Sequence, residues 1–93
     1  MRTIERSTAF KKDFKRESKG KYQKVLNDDF LAVLVVLASD GLLDVKYRDH
    51  DLTGDWITYR ECHIKPDLLL IYRKMEEKCL RLARLGSHSE LFG

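Results

Sequence analysis

All three histidines of the chain lie in its second half. Imidazole exchanges protons near neutral pH, a carboxylate orients or accepts a proton, and a guanidinium holds a phosphate that gains charge. Side chains that offer all three groups occur there in this order: His50, His63, Asp67, Arg84 and His88. These are the groups that phosphodiester cleavage without a metal ion requires. The alternative is that the histidines are unrelated surface residues.

Length and composition describe a small folded protein. The 93 residues are enough for one hydrophobic core, so we expect a single domain over residues 1–93. The only cysteines, Cys62 and Cys79, are too few and too widely spaced for a disulfide framework or a thiolate zinc site, which favours a reducing cytosol. The longest apolar run, residues 30–38, is far shorter than the ~20 residues that span a bilayer. We therefore expect a cytoplasmic protein with no membrane contact.

Positive charge is concentrated near the N-terminus. Residues 1–24 carry nine Lys or Arg against three Asp or Glu, a net charge of +6, while the rest of the chain carries −3. A localised positive field attracts polyanions and binds them through phosphate contacts. The alternative is a solvated helix face without a partner. The candidates for such contacts are the basic side chains of the first predicted helix: Lys11, Lys12, Lys15, Arg16 and Lys19.

Residue spacing predicts a short strand at residues 3–6 and then two helices. Ser7 or Thr8 offers a capping oxygen to the first helix, and Gly20 is the type of residue that ends one. Apolar residues recur at helical spacing over residues 21–37, so we expect the second helix there.

Three β-rich segments follow an irregular stretch at residues 42–55, which carries His50. Connections of hairpin length join these segments into an antiparallel meander, with strands over residues 56–63, 68–75 and 78–85. Trp56 and Tyr72 are assigned to the core or its margin, and residues 86–93 to at most one helical turn. Two helices before a meander predict an α+β fold with both helices on one sheet face. The opposite face is then left for function.

The second half of the chain also carries several spaced motifs in a fixed order. They read Asp49-His50-x-Leu52-x-Gly54-x-Trp56, Tyr59-Arg60-x-x-His63-x-x-Pro66-Asp67, Leu70-Ile71-Tyr72, Arg84-x-Gly86-Ser87-His88 and Leu91-Phe92-Gly93. Together they resemble the YafQ branch of the RelE/ParE toxin superfamily, the ribosome-dependent mRNA interferases of bacterial type II toxin-antitoxin modules. Two positions depart from that pattern, because Asp51 replaces a proline and Ser87 replaces a threonine.

The resemblance implies a RelE-like fold of two N-terminal helices packed on a small antiparallel sheet. It implies cleavage of mRNA in the A site of the 70S ribosome without a metal or cofactor, and neutralisation by a cognate, DinJ-like antitoxin. The implied catalytic residues are His50, His63, Asp67, Arg84 and His88. Phe92 is placed near the RNA base, and Arg60 joins the basic helix as a residue that contacts RNA or the ribosome.

Within this set we hypothesise separate roles. His63, with Asp67, deprotonates the 2′-hydroxyl, and His88 protonates the departing 5′-oxygen. Arg84 holds the phosphoryl oxygens, and His50 assists either phosphate stabilisation or proton transfer. The expected products are a 2′,3′-cyclic phosphate and a 5′-hydroxyl. Exchanging the roles of His63 and His88 violates no sequence argument.

Two alternatives use the same residues differently. A ParE-like chain of the same fold inhibits DNA gyrase without catalysis, but such chains lack this histidine set. A metal site formed by His50, His63, Asp67 and His88 has ligand types suited to zinc. Its spacing matches no compact zinc motif, and Arg84 would repel a cation.

Overall fold

A five-stranded sheet runs through the computed structural model, which describes residues 1–93. Its strands are β1 (Thr3–Arg6), β2 (His50–Asp51), β3 (Arg60–Lys65), β4 (Leu68–Met75) and β5 (Cys79–Gly86). They lie in the order β1-β5-β4-β3-β2, with β1 parallel to β5 and the other pairs antiparallel. The predicted meander is confirmed, but the sheet is mixed rather than purely antiparallel. Parallel pairing is possible because most of the chain separates β1 from β5, whereas a tight turn joins only antiparallel neighbours.

Four helices accompany the sheet: α1 (Thr8–Glu17), α2 (Gln23–Leu26), α3 (Asp29–Ala38) and α4 (His88–Phe92). None of them is long and apolar enough to cross a lipid bilayer. The second predicted helix is interrupted between α2 and α3, where Asp28 has non-helical dihedral angles of −127° and −93°. Asn27 and Asp28 compete for backbone hydrogen bonds and so favour helix ends. Hydrophobic spacing alone did not reveal this break.

The main core lies between the helices and one face of the sheet. The rings of Phe10, Phe14 and Phe30 pack together with centroids 5.7–6.1 Å apart. They cover alternate buried residues of β4, among them Leu70 and Tyr72. This confirms the expectation that the N-terminal helices cover a single sheet face, and it confirms Tyr72 as a core residue.

A smaller apolar cluster seals part of the opposite face. It contains Leu69, Ile71, Ala83 and Leu91, with Trp56 packed against its margin. Trp56 belongs to a short 3₁₀ turn, Gly54–Trp56, rather than to the start of β3. The strand therefore begins four residues later than its composition predicted, because Gly54 adopts a left-handed conformation (φ 65°) that closes a turn.

Candidate active site

Three imidazole rings form a row on the sheet face opposite α1 and α3. The centroid of His63 lies 6.2 Å from that of His50 and 5.9 Å from that of His88. The ring of Phe92 extends the series, 5.7 Å from His88. We call these four side chains the histidine row. The structure thus brings together residues that are up to 42 positions apart in the sequence.

Strand pairing explains how two of these histidines meet. In the β2–β3 pair His50 lies directly opposite Glu61, and Glu61 and His63 share a strand face because they are two residues apart. Cys62, between them, points into the main core. The short strand β2 was not predicted, since residues 50–51 show no apolar alternation. It carries His50 to the sheet edge beside β3.

Glu61 is a buried carboxylate between the two histidines. Its side chain is 4% exposed, and its Oε1 lies 2.9 Å from His63 Nε2 and 3.9 Å from His50 Nε2. Buried charges are costly unless they are paired. A protonated His63 therefore forms an ion pair with Glu61, within reach of His50. The sequence interpretation did not include Glu61, although its two-residue spacing from His63 was the signal that placed it on the same face.

The backbone before His50 fixes the orientation of its ring. Arg48 adopts a left-handed conformation (φ 49°, ψ 43°) that ends the 3₁₀ turn Val45–Tyr47. Its carbonyl oxygen accepts a hydrogen bond of 2.7 Å from His50 Nδ1. With the proton on Nδ1, the unprotonated nitrogen of a neutral His50 is Nε2, the atom that faces Glu61.

Asp49 anchors the same loop to the sheet. Its Oδ2 accepts hydrogen bonds from Arg60 Nη2 and Nε at 2.8 and 3.2 Å, and its Oδ1 accepts one from the buried Tyr72 hydroxyl. Burial and this contact with Asp49 raise the pKa of Tyr72. Arg60 also pairs with Asp51 at 2.5 Å. The side chain predicted to contact RNA or the ribosome is thus held by two loop carboxylates.

The third histidine is positioned by the short helix α4. Ser87 and Glu90 form a capping box at its start, in which the Ser87 hydroxyl accepts from Glu90 N–H and the Glu90 carboxylate accepts from Ser87 N–H. The backbone N–H of His88 lies 3.4 Å from Asp67 Oδ1. Asp67, in the turn between β3 and β4, therefore lies beside α4, while the carboxylate against His63 is that of Glu61.

Arg84 is held by a buried carboxylate of α1. Its Nε and Nη2 donate to Asp13 at 2.7 and 3.2 Å, and the Leu85 N–H donates to the same group at 3.0 Å. Burial alone would raise the pKa of Asp13, but these hydrogen bonds outweigh it and keep the pKa below its ordinary value. No hydrogen bond joins Arg84 to the histidine row. Its Nη1 has no hydrogen-bond partner within the chain.

The predicted basic contacts divide into two groups. Lys11, Lys12 and Lys15 are exposed on α1, and Lys19 is exposed in the turn that follows it. Arg16 instead bridges elements, because it pairs with Asp13, Glu17 and Glu90 and donates to the Leu85 carbonyl. Only the lysines leave their charges without a carboxylate partner.

The site also offers three ligands that a metal ion prefers. Donor atoms of His50, Glu61 and His63 all lie within 4.8 Å of one another. Two imidazoles and a carboxylate suit zinc or copper. This set differs from the metal alternative raised by the sequence, since Glu61 replaces Asp67 and His88.

Nearly the whole chain is similar to known proteins. Residues 2–93 match the family model described as "Bacterial toxin of type II toxin-antitoxin system, YafQ". The chain belongs to the YafQ toxin family. Over 92 residues it is 38% identical to the mRNA interferase toxin YafQ of Escherichia coli strain K12, covering 99% of this chain and 97% of that protein.

Two solved structures of similar chains share the fold. The metal-bound toxin from Helicobacter pylori is 50% identical, with a TM-score of 0.85 over 99% of this chain and 100% of that one. The chain matched in the E. coli DinJ-YafQ toxin-antitoxin complex is 37% identical, with a TM-score of 0.79 over 99% and 98% of the two chains. The predicted α+β fold of RelE type is confirmed.

Proposed function

We propose that this YafQ-family toxin is a metal-independent endoribonuclease that cleaves mRNA in the ribosomal A site. The observation that carries the proposal is the histidine row around the buried Glu61. Two imidazoles of the row that face one substrate can act as base and acid for the same phosphodiester, without a metal-bound hydroxide. The E. coli relative named as an mRNA interferase supports the same reaction class.

We assign each side chain a role, and its contacts within the protein support that role. His63 takes the 2′-hydroxyl proton and, once protonated, pairs with Glu61, which lies 2.9 Å away. His88 protonates the 5′-oxygen as it leaves, and His50 assists from the other side of Glu61. The free Nη1 of Arg84 donates to the phosphoryl oxygens, and Asp67 holds the start of α4. The nucleophile is the mRNA's own 2′-hydroxyl, so a 2′,3′-cyclic phosphate and a 5′-hydroxyl result.

A metal ion would inhibit this reaction. Zinc or copper bound to His50, Glu61 and His63 would occupy the lone pairs that proton transfer needs. The similar toxin from H. pylori is a metal-bound protein, which supports metal binding by His50, Glu61 and His63 in this chain. In this proposal the metal-free protein is the active form.

The ribosome and an antitoxin are the proposed partners. A small domain has little surface with which to align a flexible strand for in-line attack, so the ribosome supplies the positioning. The exposed lysines of α1 provide positive charge for contacts with ribosomal RNA. A DinJ-like antitoxin is proposed because the E. coli relative forms a complex with DinJ.

The test is cleavage of a defined mRNA by the purified toxin, mapped by primer extension with and without 70S ribosomes. We expect cuts inside the reading frame only when ribosomes are present. The cuts should persist when the toxin is treated with chelator and then added to ribosomes in magnesium buffer. They should disappear when zinc occupies the site. Intact mRNA with ribosomes present, or activity that chelation removes, would contradict the proposal.

A further inference from the structure

A cleft of about 300 Å³ opens beside His63, and His88 is not among its lining residues. Its walls are the 3₁₀ turn that precedes His50, the end of β3 and the start of α3. Its charged residues are three cations, Lys46, Arg48 and Lys65, and one carboxylate, Asp29, which gives a net charge of +2. We call this space the basic cleft. The roles assigned above do not use its cations.

Two of these cations are available to a ligand. Lys65 pairs with Asp29 at 2.6 Å, so this pair is largely neutralised within the protein. Lys46 and Arg48 are exposed, and neither lies within ion-pair distance of a carboxylate. The Nζ of Lys46 lies 5.2 Å from the centroid of the Tyr47 ring, which forms an aromatic wall. Positive charge beside an aromatic ring is the combination that binds single-stranded nucleic acid.

The cleft and the histidine row are parts of one continuous surface. His63 lines the cleft and contacts Glu61. Arg48 lines the cleft as well, and its carbonyl accepts from His50 Nδ1. Asp44 caps the turn by accepting from Lys46 N–H at 2.9 Å, which fixes the backbone that carries both cations. A strand whose phosphate lies at His63 can therefore reach the cleft.

We propose that the basic cleft binds the mRNA nucleotide adjacent to the scissile phosphate, with Lys46 and Arg48 on its phosphate group. The inference rests on the proposed nuclease function and assigns a substrate subsite to it. The volume is at the lower end of the range for small-ligand sites, which suits one nucleotide. A subsite of this kind holds the strand in register while the histidine row acts on the neighbouring bond.

Binding of a fluorescent 2′-O-methyl hexaribonucleotide, which the enzyme cannot cleave, tests the subsite across a range of KCl concentrations. Lys46→Ala and Arg48→Ala should each weaken binding and reduce the slope of log affinity against log salt by about 0.7, the loss of one phosphate contact. Lys78→Ala is the matched control, since this exposed lysine lies at the far end of the β4–β5 hairpin. It should change neither quantity. The melting temperatures of all three variants should match that of the wild type, because Lys46, Arg48 and Lys78 are exposed.

The outcomes separate this inference from the proposed function. If wild-type toxin cleaves mRNA on ribosomes but both cleft variants keep the wild-type affinity and salt slope, the subsite is wrong and the nuclease stands. If wild-type toxin cleaves nothing, the nuclease proposal fails whatever the oligonucleotide binds. Adenosine 5′-monophosphate is the competitor. Equal affinity for it and for the hexanucleotide would indicate a site for free nucleotides and overturn the RNA assignment.

Discussion

Glu61 is a buried carboxyl group that lies between two histidines of the proposed site. Its Oε1 is 2.9 Å from His63 and 3.9 Å from His50. A single carboxylate can therefore pair with whichever ring carries the proton. Because it is buried, water screens this interaction less than it would an exposed ion pair. At the scale of single residues, Glu61 is the group that couples His50 to His63.

Replacing Glu61 with Gln keeps the side-chain volume and removes the charge. We expect Glu61→Gln to lower the single-turnover rate of mRNA cleavage on ribosomes. The decrease should lie within the roughly 10²–10⁴-fold range of general acid–base effects. Affinity for ribosomes that carry uncleavable mRNA should change little, because Glu61 faces the histidines rather than the solvent. Quench-flow kinetics and a binding assay measure the two quantities separately.

Glu77→Gln is the matched control, since Glu77 is exposed in the turn between β4 and β5. It should leave both the rate and the affinity unchanged. A wild-type cleavage rate in Glu61→Gln would show that the carboxylate has no part in proton transfer.

At the scale of elements, the two-residue strand β2 depends on the Asp49 anchor. β2 pairs with β3 through His50 and Asp51 alone, too short a strand to fix a loop by itself. Asp49 adds charge-assisted hydrogen bonds from Arg60 and one from the buried Tyr72. Asp49, the residue before His50, therefore ties the loop that presents His50 to the core.

Asp49→Asn should loosen this loop. The amide cannot accept from Arg60 and Tyr72 as the carboxylate does, and a lost hydrogen bond of this type with a buried partner costs about 1–3 kcal/mol in the free energy of unfolding. Cleavage should slow because His50 is no longer held. In a His50→Ala background the same substitution should reduce stability but slow cleavage little further. Urea unfolding and single-turnover rates are measured for the wild type, the two single variants and the double variant, which together form a double-mutant cycle.

Asp51→Asn provides the comparison for that cycle. Asp51 also pairs with Arg60, but its side chain is 81% exposed, and exposed pairs contribute about 0–1 kcal/mol. We expect nearly wild-type stability and activity. Fully additive effects of Asp49→Asn and His50→Ala on cleavage would show that Asp49 does not act through His50.

At the scale of the whole molecule, the fold separates stability from chemistry. The phenylalanine core lies on one sheet face and the histidine row on the other. Arg84 of β5 pairs with the buried Asp13 of α1, which also pairs with Arg16, and this ties α1 to the sheet. The surface lysines of α1 remain open to solvent. Substitutions in the histidine row should therefore affect activity more than folding.

Much of this arrangement follows from local sequence signals. The β-rich segments and the hairpin-length connections between them predicted the β3–β5 meander, and the helical spacing of apolar residues located α1 and α3. The ordered motifs predicted the family. The break at Asn27-Asp28 and the short strand β2 were not predicted. The break results from local competition for backbone hydrogen bonds, and β2 is held by tertiary pairing with β3.

The site itself was only partly predictable. Residue types identified the three histidines, and alternation along β3 puts Glu61 on the same face as His63, but alternation alone does not show whether Glu61 or Asp67 contacts the ring. The sequence paired His63 with Asp67, whereas the structure places Glu61 against His63 and Asp67 beside α4. The placement of His50 opposite Glu61 depends on strand register, which is fixed when the strands pair across the sheet.

Attack by the mRNA's own 2′-hydroxyl is the step on which the proposed function depends most directly. A single measurement isolates it: primer extension of an mRNA with one 2′-deoxynucleotide at the cleaved position, bound to 70S ribosomes and incubated with the toxin. We expect cleavage at that position to be lost, while an otherwise identical all-ribose mRNA is cut and both bind the toxin equally. Cleavage of the deoxy-substituted bond at the wild-type rate would contradict a metal-free 2′-hydroxyl mechanism.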